Sequence, residues 1–240
     1  MDEIVKTFES EGLVVEVIFE QGIRINDVSF RFVPAGEDHE SLSSAEIIIH
    51  EDLFHRRKEQ LIARMRSVAG LNSKRVHGRQ TRIKELSREE AKRFTDAHHL
   101  MGFGGGKTFL GLVDREQLVA VAIFSKIRWM KYENPPYNSV ELERFCVLTD
   151  TTVVGGLDKL IRHYLRIHEV DDIVTYIDKE WSDGSAFLKL GFEWVEDTAP
   201  LMFCVDKETY KRRLFLPDQG FSQDCFLIKN LGNMKLKLRA

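Results

Sequence analysis

Cysteine is scarce in this 240-residue chain. Cys146, Cys204 and Cys225 are odd in number and stand far apart. No CxxC or other metal-ligand spacing joins them, so they are expected as reduced thiols, and no metal is indicated. Long apolar runs are also missing, and none approaches the length of a membrane span. The opening MDEIVKTFESEG lacks the basic start and apolar stretch of a secretory signal. A soluble, cytoplasmic protein with no membrane partner is therefore expected. Neither sign of charge dominates: 30% of residues are charged, yet the net charge is only −3. That balance excludes a uniformly basic, histone-like binder but leaves room for a local basic patch. Internal repeats and low-complexity segments are absent.

What is present suits a globular protein, with 43% hydrophobic residues arranged in patterns that name elements. Segments 13–19 and 23–33 alternate apolar and polar positions and read as half-buried strands. Pro34 to Ser44 reads as a polar loop. AEIIIHEDLF begins as a short strand, and HRRKEQLIARMRSV, from His55 to Val68, reads as a helix with one basic face. A second unit opens near Gln80. QTRIKEL reads as a strand, and Ser87 with Glu90 forms a capping box for a helix over Arg88 to about His98. Strands follow at Thr108–Val113, Leu118–Phe124 and Val140–Leu148. A helix runs from Gly155 to about His168, and a strand from Asp172 to Asp178. A short helix capped by Ser182 ends at Gly191, followed by strands at Phe192–Glu196 and Leu201–Val205. The tail FLIKNLGNMKLKLR reads as a terminal hairpin around Asn230–Asn233. The order of elements implies an α/β (α+β) fold with a mixed central sheet and helices on both faces. The expected division is a strand/helix region over 1–78 and the mixed-sheet domain over 79–240.

Several residues invite a functional reading. Gly155 and Gly156 open a helix after a strand, where free N–H groups and the positive helix end suit a pyrophosphate. Gly104-Gly105-Gly106-Lys107-Thr108 resembles a phosphate loop only at first sight. Met101 stands where that motif needs glycine, and a helix precedes while a strand follows, so ATP binding is rejected. A flexible loop beside His98-His99, with Lys107 free to meet a phosphate, is the better reading. Strict alternation on the strand Val140–Leu148 places Arg144 with Val140, Leu142 and Cys146, and Glu143 on the other face. A guanidinium among apolar residues must be paired, with Asp178 as the candidate partner, or face a ligand. Tyr176 and Asp178 share a face, and Asp178 sits at the carboxyl end of its strand, where open α/β sheets place their ligands. The stretch from Arg56 to Lys84, including Arg75 and Arg79, forms a credible phosphate-backbone surface or a solvated helix face. Trp129, Tyr132 and Tyr137 in RWMKYENPPYN can stack on a base or simply anchor a proline-rich loop.

The helix, "LGF" and strand of FLKLGFEWV (Phe187 to Val195) resemble the GNAT N-acetyltransferases. The words HHLMG, LERFCVL, TTVVGGLDKLI and TYIDKEWSDGSAFLKLGF resemble more narrowly a bacteriophage family of GNAT-like proteins that often follow nuclease-like segments. More distantly, they are similar to the Mom proteins of Mu-like phages, which modify adenine in DNA. IIIHEDLFHRRKEQLIARM resembles the closing strand and helix of such a nuclease-like segment. The resemblance implies acetyl-CoA or another acyl donor, held along Val154, Gly155, Gly156 and Ser182. The usual signature, however, has Arg or Gln where this chain has Thr152. It implies His99 as acid/base or substrate contact, Arg144 as a functional arginine, Glu143 as a general base acting through water, and a cleft shared by Asp178. The related phage proteins carry tyrosine where this chain has Phe187, so Tyr176 substitutes or the chemistry differs. Three readings stand open. One is a transferase modifying a nucleic-acid base, with Arg75, Arg79 and Lys107 on the nucleic acid. The second is an acetyl-CoA-dependent N-acetyltransferase acting on an amine. The third is a non-catalytic DNA-binding module.

Overall fold

The computed structural model describes residues 1–10, 12–19, 21–37, 46–216 and 223–240. In chain order the elements are α1 (Asp2–Ser10), β1 (Val15–Phe19), β2 (Gly22–Ile25), β3 (Val28–Val33), β4 (Glu46–His50), α2 (Glu51–Val68), β5 (Lys74–His77), β6 (Arg82–Glu85) and α3 (Arg88–His98). Then come β7 (Thr108–Asp114), β8 (Gln117–Phe124), β9 (Arg128–Met130), β10 (Tyr137–Val147), β11 (Thr151–Val154), α4 (Gly156–Ile167), β12 (Asp172–Asp178) and α5 (Ser185–Leu188). The chain closes with β13 (Glu193–Asp197), β14 (Met202–Asp206), β15 (Arg212–Leu214), β16 (Cys225–Lys229) and β17 (Asn233–Arg239). Two compact units result. Unit 1 comprises Met1–Ala69, Ile177–Asp183 and Asp197–Asn233, and unit 2 comprises Gly70–Tyr176, Gly184–Glu196 and Met234–Ala240.

Unit 2 is built on a mixed sheet of order β13-β17-β12-β10-β8-β7-β6, with β9 attached to β10. Alternation along its central strands separates two apolar faces. Val121, Ile123 and Cys146 meet Ala91 and Phe94 of α3 on one face. On the other, Phe124 stacks on Tyr164 of α4 with ring centroids 4.0 Å apart. This is the mixed α/β architecture with helices on both faces that the order of elements implied. The capping box at α3 is complete, with Ser87 Oγ accepting from Glu90 N–H and the Glu90 carboxylate accepting from Ser87 N–H.

Unit 1 carries the sheet β1-β2-β3-β4 and the smaller sheet β15-β14-β16. Segment 23–33 is not one strand but a hairpin, because Asn26 adopts φ 52° and turns the chain between β2 and β3. Helix α2 begins at Glu51 rather than His55 and is broken at Arg57. The N-terminal segment, in which the sequence pattern names no element, is α1, burying Ile4 and Phe8. The Pro34–Ser44 loop lies partly outside the described residues, from 38 on.

Two further expectations fail. The tail is no hairpin: β16 pairs with β14, whereas β17 joins the large sheet between β13 and β12. Residues 230–232 do separate two strands, but the partners of those strands are chosen by tertiary pairing. Cys204 and Cys225 are not reduced thiols but form a disulfide, whereas Cys146 is a buried thiol outside it. Their 21-residue separation conceals that β14 and β16 are antiparallel neighbours, with Cys204 opposite Leu227 and Cys225 opposite Asp206. Among the described residues no helix is long and apolar enough to cross a membrane.

Candidate functional site

In unit 2 the central feature is the way β10 and β12 part. They pair in parallel for three residues only, Ser139 with Asp172, Val140 with Ile173 and Glu141 with Val174. Thr175 then donates its hydroxyl to the Leu142 carbonyl at 3.0 Å, and the ladder ends while β10 continues to Val147. On its other edge β10 stays bound to β8, but with a bulge. Leu142 faces Phe124 and Arg144 faces Ile123, so Glu143 is an extra residue.

That bulge corrects the alternation expected for this strand. Glu143 and Arg144 do not lie on opposite faces; both reach the glycine loop 104–106. A Cβ on Gly104 would sit 3.0 Å from Arg144 Cζ, and one on Gly106 would sit 3.6 Å from Glu143 Oε2. The loop needs glycine. Gly105 and Gly106 adopt φ 113° and 80°, and a Cβ on Gly106 would run into Ile123 Cγ2. Helix α3 precedes this loop and strand β7 follows it, as the rejection of a phosphate loop required. Lys107 anchors its end by donating its N–H to the Phe124 carbonyl, and the residue is exposed.

Arg144 is half-buried and is not paired with Asp178. Its Nε donates to the Gly102 carbonyl at 3.3 Å and its Nη1 to the Glu143 carbonyl at 2.7 Å. Burial lowers the guanidinium pKa. Burial, reinforced by the charge of Glu141, raises the Glu143 carboxyl above its ordinary value. His99 caps the end of α3, and its Nδ1 accepts from the Met101 N–H at 3.1 Å, so it shapes the start of the glycine loop. His98 packs on Phe94 and meets Thr149 Oγ1 at 2.9 Å through Nδ1. Tyr176, 40% exposed, stands on β12 just past the point where the ladder ends. Phe187 packs edge-on against Phe192.

Gly155, at φ 71°, is the N-cap of α4, and open space lies where its Cβ would be. A Cβ on Gly156 would press on Val153 and Leu112, so the second glycine serves helix packing. Val154 is exposed beside them. Thr152, where the acyl-donor signature has a basic or amide residue, accepts instead from Asn72 Nδ2 at 3.1 Å. Open backbone at Gly155 fits a phosphate-bearing donor; Thr152 adds no charge to it.

Asp178 and Ser182 fall in unit 1. Burial, with the nearby Glu180 charge, pushes the Asp178 carboxyl up to about 6. Its Oδ1 accepts from Glu180 N–H at 2.9 Å, while Glu180 Oε1 lies 3.0 Å from Nε2 of the buried His50. Ser182 is not the cap of α5: that position is Gly184, in the left-handed conformation. The basic stretch 56–84 is divided as well, because α2 belongs to unit 1 and Arg75 and Arg79 to unit 2. Among the described residues no three His, Cys, Asp or Glu side chains converge as metal ligands.

The sequence reading overlooked a cleft of about 640 Å³ beside α4, lined by His77, Arg79, Lys159, Arg162, His163 and Arg166 among others. The signal was present: positions 159, 162, 163 and 166 form one helical face of cations and histidine, opposite the face that buries Leu160, Ile161 and Tyr164.

No protein-family model and no curated relative matches the sequence. Solved structures similar to this chain include an acetyltransferase from Bacillus subtilis in complex with CoA. It shares 14% identity over 67% of this chain and 99% of that one, with a TM-score of 0.42. An N-acetyltransferase from Staphylococcus aureus Mu50 shares 12% identity over 66% of this chain and 98% of that one, with a TM-score of 0.39. A GNAT family acetyltransferase from Elizabethkingia anophelis with acetyl-CoA bound shares 11% over 67% and 99%, also with a TM-score of 0.39. These are likenesses of outline, and no activity follows from them.

Proposed function

We propose that unit 2 transfers an acyl group from an acyl thioester of coenzyme A to an amine. The parting of β10 and β12 carries this reading. Two parallel strands that separate after three residue pairs leave main-chain donors and acceptors facing one another across a slot. An extended, amide-bearing chain fits such a slot as an added strand would. Gly155 and the first N–H groups of α4 suit the phosphates of the donor. When bound, the donor supplies the activated carbonyl: the amine nitrogen forms the C–N bond, the C–S bond breaks, and the thiolate leaves.

The chain's own residues then have distinct tasks. Glu143, with its raised carboxyl, takes the proton that the amine nitrogen loses, directly or through water. Arg144, held by two backbone carbonyls, keeps positive charge beside it. Tyr176, exposed beside the slot, returns a proton to the leaving sulfur in place of the hydroxyl that Phe187 lacks. His99 positions the glycine loop over the site. Calorimetry with acetyl-CoA tests the donor. Binding to the wild type that disappears in Gly155→Val is expected; no heat with the wild type removes the reading.

A nucleic-acid base is the acceptor favoured by a second observation. Trp129 is 58% exposed on β9 and Tyr132 91% exposed on the β9–β10 connection, where Lys131 lies 4.7 Å from the Tyr132 ring. Exposed rings flanked by cations suit base stacking. Tyr137, by contrast, is an anchor, its hydroxyl accepting from Lys237 Nζ at 3.1 Å. The resemblance to the phage GNAT-like and Mom proteins points the same way. Mass spectrometry of nucleosides from DNA treated with protein and acetyl-CoA should reveal an acylated base. DNA binding with no product would leave the non-catalytic module.

A further inference from the structure

We infer that the Cys204–Cys225 disulfide of unit 1 is a redox switch, biased by Arg213 and worked by small thiols of the glutathione class. Strand register brings the three residues to one face of the sheet β15-β14-β16. Cys204 stands opposite Arg213 on β15 and Leu227 on β16, and Cys225 stands opposite Asp206, two residues along β14. Both cysteines are nearly buried, 3% and 5% exposed, whereas Arg213 reaches solvent. Its Nη2 donates to both sulfurs, at 3.6 Å to Cys204 Sγ and 3.6 Å to Cys225 Sγ. A disulfide carries no charge for a guanidinium to neutralise. A thiolate does, and an arginine beside a cysteine lowers the thiol pKa. The cation therefore favours the reduced pair over the oxidised one.

Among the described residues of these three strands, Asp206 and Lys229 are the other charged groups on that face. Asp206 Oδ1 accepts from the Thr209 hydroxyl at 2.6 Å and the Thr209 N–H at 2.7 Å, which hold its carboxyl below the ordinary value. It stays anionic wherever thiols titrate. Lys229 lies at the far end of β16, opposite Met202. Reduction leaves the strands in place. Five residue pairs, from Met202–Lys229 to Asp206–Cys225, hold β14 to β16 without the sulfurs. Arg212, on the other face of β15, fastens that strand to α2 through Asp52, at 2.7 and 2.9 Å. The exchange balances. A glutathione thiolate attacks one sulfur, the S–S bond breaks, and the displaced cysteine leaves as a thiolate beside Arg213. A second glutathione thiolate attacks the glutathione sulfur of the mixed disulfide and releases the other cysteine. Two small thiols become one disulfide, the protein disulfide becomes two thiols, and the reverse sequence restores it. The stability of unit 1 then follows the thiol balance of its surroundings.

The test equilibrates the full chain with glutathione and glutathione disulfide in varied ratio, at about pH 5.5 and about pH 8. Acid quenching, alkylation and mass spectrometry then count the free thiols at Cys204 and Cys225. An equilibrium does not depend on how easily a reagent reaches a buried sulfur. The wild type should pass from fully oxidised to fully reduced as the ratio changes. At about pH 8, Arg213→Met should lower the equilibrium constant for reduction about tenfold, and Arg213→Lys should restore most of it. Arg213→Gln, polar and neutral, should behave as Arg213→Met does. At about pH 5.5 the thiols stay protonated, and all four proteins should agree. A merely structural role for Arg213 would shift both pH values alike. A wild type that keeps its disulfide in excess glutathione, or never forms it in excess glutathione disulfide, overturns the switch. Neutral variants that match the wild type at about pH 8 overturn the role of Arg213.

Discussion

Arg144 donates through Nε to the carbonyl of Gly102, 42 residues earlier, and so ties the bulged strand β10 to the loop that leaves α3. This one contact joins the two segments that enclose the proposed reaction site. The bulge at Glu143 makes it possible, because it turns two consecutive side chains toward the same loop.

Arg144→Ala should lower acyl transfer by about 10²-fold in kcat, the usual cost of removing one preorganised donor. Arg144→Lys should recover little, since an ammonium cannot reproduce the planar donor pair that meets Gly102 and Glu143. Steady-state kinetics with acetyl-CoA decides this, and wild-type kcat in the lysine variant would show that only charge matters.

Gly106→Ala should destabilise the protein by about 1–3 kcal/mol. The added methyl meets Ile123 Cγ2 and the Phe124 carbonyl, and the φ of 80° is strained for any side chain. Urea denaturation measures the cost. The equivalent change at Gly155, whose Cβ position is open, carries only the backbone strain of its φ of 71° and should cost less.

Asp178 makes stability depend on pH in a defined direction. Its folded pKa, about 6, lies above the ordinary 3.8, so the folded protein holds the proton more tightly. Its unfavourable contribution is absent below pH 3.8, grows as pH rises toward 6, and is complete above that. Asp178→Asn should therefore stabilise the protein at pH 7, by up to about 3 kcal/mol, and have little effect at pH 3.5. The amide oxygen still accepts from Glu180 N–H. Denaturation midpoints at the two pH values provide the comparison, and equal gains at both would contradict the assignment.

Reduction should weaken unit 1. Opening a disulfide across 21 residues releases about 3 kcal/mol of chain entropy to the unfolded state. Thermal unfolding with and without dithiothreitol should show the loss, and Cys204→Ser should reproduce it without reductant.

The local chemistry of this protein was legible in its residues. Ser87 and Glu90 marked the start of α3, the apolar runs Thr108–Val113 and Leu118–Phe124 marked β7 and β8, and Gly155 marked the start of α4. These features depend on near neighbours, through capping, pleat and turn conformation, so the sequence alone determines them. The site was legible as a set of residues but not as a geometry. Alternation failed at Glu143 because a bulge inserts one residue without any mark in its own strand; the reason lies on β8, where Arg144 pairs with Ile123. The tail failed as a hairpin because β17 finds β12 and β13 in the large sheet. Cys204 met Cys225, and Arg79 met the basic face of α4, for the same reason. Partners far apart in the chain are chosen by packing and strand register, and only the tertiary structure decides those.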